Sequence, residues 1–328
     1  MRETLEPFLH LLMTRTQEYE HLQALLTNPN TRYRDTELLL HLKRLPKFVP
    51  TIERLELSKY HYSPEIEALA ACLLQNPITD HYHFETVCNY PSTTIELEQM
   101  RQFLSHFLQD LRERLLSPSC KLVINQQQSK ANRSYRSMCQ YVEALFAKQA
   151  RQVVIRVDVG YGKDTNITLE QFESDLEKLF EHTKTKPIFA YLNGFICKIE
   201  YGVSKKHHAH LLLFFDSSKR NGYGAWNIAQ GICEHWCKNV ASAQGTSRNV
   251  HNDAKKYEKL GILGIGTIHV SDTKMMNNLK NHVVSYLCNR KQFIKPKNRP
   301  NMKLLRRGNM PEILDVKRGA PRKMGVVI

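Results

Sequence analysis

A chain of 328 residues that is 41% hydrophobic can bury a sizeable core, and two domains are expected. No run approaches 18 consecutive apolar residues, and Glu3 and Glu6 interrupt the basic-then-apolar order of a signal peptide, so a cytoplasmic protein without a membrane partner is expected. The net charge of +15 is unevenly placed: residues 1–100 carry 9 Lys/Arg against 14 Asp/Glu, whereas residues 151–328 carry 30 against 15, which points to an acidic polymer such as nucleic acid rather than a merely solvated basic surface.

From residue 1 to about 115 the chain reads as helices. "EPFLHLLMTRTQEYEHLQALL", "DTELLLHLKRL", "PEIEALAACLLQ" and "TTIELEQMRQFLSHFLQDLRERLL" place apolar residues at helical spacing, and "TNPNTRYR", "NPITDHYH" and "NYPST" break them apart. The polar stretch "INQQQSKANRS" reads as a linker, and "YRSMCQYVEALFAKQ" as a helix leading into a second domain. The domain plan is therefore a helical region of unknown role over residues 1–120, a linker with lead-in helix over 121–150, a catalytic-type domain over 151–295 and a basic tail over 296–328.

Beyond residue 150 the pattern alternates. "QVVIRVDVGY" is a strand, "TLEQFESDLEKLFEHTK" a helix capped by Thr168, and "FICKIEYG" and "HHAHLLLFFD" are strands joined by the polar turn "VSKK". "AWNIAQGICEHWCKNVA" is a helix, "GILGIGTIHV" a strand, and "KMMNNLKNHVVSYLCNRKQF" a last helix. The order β-α-β-β-α-β-α with a central hairpin gives an α+β class: a helical N-terminal region, then a largely antiparallel sheet flanked by helices.

His208 and His210 alternate along one strand, so both project from the same face. Glu200 lies on the preceding strand, and a hairpin through "VSKK" can bring it to that face, since cross-strand neighbours stand roughly 5 Å apart. Two imidazoles and one carboxylate make a candidate metal site with open coordination positions; ligand chemistry alone ranks zinc or manganese ahead of magnesium. The competing reading is a pair of hydrogen-bonded core histidines. His207 points the other way and is left out of the site.

A metal in a basic domain suggests phosphoryl chemistry with water or Tyr286 as nucleophile. Tyr286 lies on the last helix with Arg290 and Lys291 following; its alternative is a core position beside Val283 and Leu287. Lys205, Lys206, Arg290 and Lys291 are candidates for DNA contacts or support of a tyrosine oxyanion. Asp158 projects from the first strand, where a place near the metal and a surface or turn-capping role are both open. Cys233 and Cys237 lie four apart on a helix and read as packed thiols rather than a metal pair with His235; the eight cysteines, scattered without a secretory signal, read as free thiols. The glycines of "LGILGIG" mark close packing or a bulge beside the site rather than a phosphate loop. Trp226, Trp236 and Tyr257 can stack on bases, although tryptophans on helices more often pack in cores.

The combination of "VVIRVDVGY", "KIEYGVSKKHHAHLLLFFD", "ICEHWC", "KKYEKLGILGIGTI", "VVSYLCNRKQF" and "RRGNMPEILDVKRGAPRK" resembles the inovirus (filamentous phage) replication-protein family. That family is also met in prophages as the YagK/YfjJ C-terminal domain and sits within the HUH endonuclease superfamily. The resemblance covers residues from about 150 to 322. It implies a rolling-circle replication initiator: a site-specific single-strand DNA nickase and strand transferase, with His208, His210 and Glu200 holding Mg²⁺ or Mn²⁺ and Tyr286 forming a 5′-phosphotyrosine bond. Origin DNA would be the substrate, and a host helicase and polymerase further partners. Members commonly carry a lysine three residues after the tyrosine; here that position is Asn289, and Arg290 or Lys291 would supply the charge. A DNA-binding regulator with an inactive fold, or a relaxase or transposase of the same superfamily, are the other functions the pattern admits.

Overall fold

The structure is a computed structural model that describes residues 2–27, 49–75, 95–162, 164–202, 206–220, 224–242, 244–290 and 294–312. The helix expected over residues 35–45, and the breaks expected around residues 28–34, 76–83 and 89–93, lie outside the described residues. The chain divides into two compact units, one of Met1–Lys130 with Arg290–Met302, the other of Ala131–Asn289 with Lys303–Ile328.

The first unit is helical: α1 (Arg2–Thr14), α2 (Thr16–Thr27), α3 (Val49–Glu53), α4 (Pro64–Gln75), α5 (Ile95–Leu116) and the start of α6 (Pro118–Lys148). Its core draws Leu104, Leu108, Leu111 and Leu115 from one face of α5 and Leu12, Leu22 and Leu69 from other helices, all buried, as the 3.6-residue period requires. The apolar run over residues 6–26 forms two helices, not one. The Thr14 hydroxyl donates back to the His10 carbonyl at 2.9 Å, a bond pattern that bends helices at such a position. A short pairing of β1 (Tyr60–His61) with β7 (Lys295–Pro296) belongs to this unit.

The segment read as a linker does hold the boundary between the two units, at Lys130 and Ala131, but it is helix and not an irregular connection. Residues 124–134 sit inside α6, which runs unbroken for 31 residues with Pro118 at its first position. Gln, Lys, Ala and Arg are good helix formers even without an apolar stripe, and the C-terminal half of α6 is anchored by buried Met138, Tyr141, Val142, Leu145 and Phe146. The basic tail also needs correction. Its described part contributes Pro296 to β7 and forms β8 (Leu305–Arg307).

The second unit is built on one six-stranded sheet in the order β5-β2-β4-β3-β8, with β6 also on β2. The strands are β2 (Arg151–Tyr161), β3 (Leu192–Gly202), β4 (Lys206–Asp216), β5 (Gly245–Asn249) and β6 (Gly266–His269) with β8, and every pair is antiparallel. The helices α7 (Leu169–Thr185) and α8 (Ala225–His235) cover the face that carries Val153, Ile155, Val157 and Leu211. Thr168 caps α7 as expected, its Oγ1 accepting from the Gln171 N–H at 3.2 Å. On the other face Val154, Ile196, Leu212 and Phe214 pack with α6 and with Leu279, Val283, Val284 and Leu287. The expected α+β architecture, with a largely antiparallel sheet flanked by helices, is the one observed.

Beyond α9 (Ala254–Lys259) and β6, the last helix is compound. α10 (Thr273–Asn278), N-capped by Asp272, continues into a π-helical turn at Leu279–Val284 and a final turn at Ser285–Leu287. Gly264 lies directly under this change of pitch. A Cβ there would meet the Leu279 backbone nitrogen at 2.5 Å, so the glycine is required by close approach, as read from the sequence. β5 was not foreseen: Thr246, Ser247 and Arg248 are exposed at the sheet edge, and their run lacks the apolar alternation of an inner strand.

Candidate metal centre and adjoining tyrosine

The register of the β3–β4 hairpin builds the site. Glu200 pairs directly with His208, and Lys198 with His210, so all four side chains share one face. The Glu200 carboxylate oxygen Oε2 lies 3.5 Å from His208 Nε2 and 3.4 Å from His210 Nε2. One ligand atom from each of the three residues falls within 4.8 Å of the others, the spacing of a group that could hold a metal ion. Among the described residues no other group of three or more His, Cys, Asp or Glu side chains does so.

Both imidazoles are oriented by their far nitrogens. His208 Nδ1 donates to the Lys206 carbonyl at 3.2 Å, and His210 Nδ1 donates to the Asp158 carboxylate at 2.5 Å. With Nδ1 carrying the proton, each Nε2 presents its lone pair toward Glu200, the arrangement by which carboxylates and carbonyls orient metal-binding histidines. His210 Nε2 is buried and makes no hydrogen bond. A buried imidazole nitrogen left in this way pays a desolvation cost that a cation would relieve. The donor set of two nitrogens and a carboxylate fits a divalent ion.

Electrostatics agree with the geometry. Burial pushes Asp158 toward the neutral form, but the His210 hydrogen bond and the charges of His210, Arg156 and Arg248 outweigh it and hold the carboxyl below its ordinary value. Burial likewise opposes protonation of His210, yet the Asp158 and Glu200 carboxylates beside it raise it above an ordinary histidine. A proton therefore occupies ground that a divalent cation would contest.

Tyr286 does not join Val283 and Leu287 in the core. Those two are buried, whereas Tyr286 is 37% exposed. Its ring meets that of His210 edge to face, centroids 5.5 Å apart, and the Arg156 guanidinium lies over it at 4.6 Å. The helix thus brings a partly exposed phenol against one member of the Glu200–His208–His210 group.

The remaining candidates separate. Lys206 opens β4, half-buried; Lys205 and Lys291 lie outside the described residues. Arg290 is engaged within the first unit, paired with Glu65 at 2.9 Å and donating to Gln128 Oε1 at 3.1 Å. The guanidinium beside Tyr286 is instead that of Arg156, which sequence reasoning missed. Asp158, left open between two roles, is the partner of His210. Gly160 was also missed: it pairs with His208, and a Cβ there would stand 3.0 Å from the His208 Cβ. A signal was present. Arg156, Asp158 and Gly160 interrupt one face of a strand whose other face is Val153, Ile155, Val157 and Val159.

His207 lies on the opposite face as expected, stacked on Phe172. Trp236 is wholly buried, while Trp226 is 48% exposed with its indole N–H on Asn252, and Tyr257 packs partly buried against the core. Cys233 is buried and Cys237 contacts Ser247, while His235 pairs with His182, in line with packed thiols.

The fold and site together define an α+β protein with an antiparallel sheet that presents a histidine–carboxylate group able to hold a metal ion. Residues 118–301, more than half of the chain, match the YagK/YfjJ C-terminal domain, and the chain belongs to that family. No curated protein and no solved structure matches it. Among the described residues no helix is long and apolar enough to cross a membrane.

Proposed function

We propose that this chain is an HUH-type endonuclease that nicks single-stranded origin DNA and starts rolling-circle replication, in the manner of inovirus replication proteins. The observation that carries the reading is the edge-to-face contact of Tyr286 with His210, which sets a partly exposed phenol beside a group suited to a divalent cation. The positive charge beyond residue 100 supports a nucleic-acid substrate.

His208, His210 and Glu200 would hold the ion; Mg²⁺ or Mn²⁺ suits a shell completed by phosphate oxygens and water. Such an ion supplies Lewis-acid polarisation of a phosphoryl oxygen. Tyr286 Oη attacks the scissile phosphorus, forming a phosphotyrosine ester with the 5′ end while the bond from phosphorus to the 3′ oxygen breaks. The phenol gives up its proton to solvent, and the departing 3′ oxygen takes one up. The result is a free 3′-hydroxyl that a polymerase can extend, and the reverse reaction rejoins the strand. Asp158 keeps His210 in the tautomer that leaves Nε2 free.

The test uses 3′-labelled single-stranded oligonucleotides tiling the DNA beside the protein's own gene, with Mn²⁺ or Mg²⁺. The expected product is a labelled protein adduct, resistant to SDS and removed by protease, which Tyr286→Phe abolishes. Cleavage without an adduct would make water the nucleophile and the protein a hydrolytic nuclease. Binding without any cleavage would favour a regulator.

A further inference from the structure

Arg156 turns its guanidinium toward the tyrosine, and its environment differs from that of three other described arginines. Arg248 pairs with Asp253, Arg290 with Glu65, and Arg306 with Glu173 and Glu177. Arg156 makes no ion pair among the described residues, and its Nε is buried without a hydrogen-bond partner. It projects from the middle of β2 on the face of Asp158, two residues away, and is half-buried over the Tyr286 ring. Leaving a guanidinium unpaired in such a place is costly unless an anion completes it. The carboxylate two residues along the strand, that of Asp158, accepts from His210. Its planar fork of N–H donors matches two oxygens of a phosphate, and its contact with the phenol ring keeps that fork beside the side chain proposed to attack one.

We infer that Arg156 is a catalytic residue of this site: its guanidinium binds the non-bridging oxygens of the scissile phosphate while its face holds the Tyr286 ring in line for attack. The inference rests on the nickase reading above and adds the group that takes up charge as the phosphate becomes five-coordinate. No atom is transferred to or from Arg156, and the bonds made and broken remain those of the tyrosine and the phosphate. Donors aimed at such developing charge account for roughly 100- to 1,000-fold in rate when removed singly.

The experiment compares wild type with Arg156→Gln, Arg156→Ala and Arg156→Lys, measuring the single-turnover rate of adduct formation and the dissociation constant for the same oligonucleotide. Arg156→Gln should slow the reaction about 100-fold or more, with the dissociation constant and Mn²⁺ affinity kept within about threefold. Added guanidinium ion should restore at least about tenfold of the rate to Arg156→Ala, a rescue that a structural role would not give. Arg156→Lys keeps the charge and loses the fork; about a tenfold loss of rate is expected, and it remains informative if the neutral variants do not fold. Wild-type rates in Arg156→Gln, or in Arg156→Lys where only that variant folds, would overturn the inference while leaving the nickase intact. So would a defect confined to the dissociation constant. A wild type that forms no adduct sinks the nickase reading, and the role of Arg156 with it.

Discussion

Asp158 and His210 face each other across β2 and β4, and the Asp158 carboxylate accepts the His210 Nδ1 proton at 2.5 Å. This bond chooses which imidazole nitrogen is left to bind a cation. Asp158→Asn offers the ring an amide that can donate as well as accept, so the tautomer is no longer fixed. Affinity for Mn²⁺ should fall roughly 10- to 100-fold, measured by calorimetric titration of the purified protein. An unchanged affinity would mean that packing alone orients His210.

Metal binding should depend on pH with a definite sign. The Asp158 and Glu200 carboxylates, against the opposing effect of burial, raise His210 above its ordinary value, and a protonated imidazole cannot bind a cation. Affinity for Mn²⁺ should therefore climb as pH rises through and beyond the usual histidine range, with protons released on binding. Titrations in two buffers of different ionisation enthalpy would count those protons. A flat affinity between pH 6 and 8, chosen as about the histidine range, would remove His210 from the ligand set.

His251 gives a second, independent pH signature. It is buried behind β2 with Nε2 accepting from the Arg156 backbone N–H at 3.3 Å, and burial pushes it down to about 4. In the unfolded chain it titrates near 6.5. Between those values the unfolded state binds the extra proton, so its contribution is fully present above the unfolded value and is lost as pH falls toward 4. The loss is on the order of 3 kcal/mol if the whole shift is realised. Urea unfolding from pH 7 to 4.5 should show this decline, and His251→Gln should flatten it. An equal slope in that variant would put the acid sensitivity elsewhere.

Gly264 tests the positioning of the tyrosine. A Cβ at this position collides with backbone atoms of Asn278 and Leu279, at 2.6 and 2.5 Å, which cannot rotate away as a side chain would. Gly264→Ala should cost about 1–3 kcal/mol as an overpacking change and shift the helix that carries Tyr286. Adduct formation should then fall by far more than Mn²⁺ affinity, because the histidines and Glu200 sit on strands. Equal losses in both measurements would show that the helix and the metal group are not separately supported.

Much of this protein was determined by the sequence on local grounds. A period of two put His208 and His210 on one face and His207 on the other, and the closeness of the two strands in sequence was enough to bring Glu200 opposite His208. A period of 3.6 and a threonine cap placed α7, and the glycines before β6 announced close packing. What local pattern could not decide depended on contacts between distant segments. Arg156 and Asp158 reach the site only because β2 lies beside β4, some 50 residues later in the chain, and Tyr286 arrives from a helix 76 residues beyond His210. The choice between core and surface for Tyr286 was likewise tertiary: the π turn over Leu279–Val284 resets the helix phase ahead of it, and hydrophobic spacing read at a constant 3.6 residues carries no trace of that. The residues 124–134 inverted the usual cue, since a polar run of good helix formers has no apolar face to declare it, and it became helix because buried side chains further along α6 hold that helix in place.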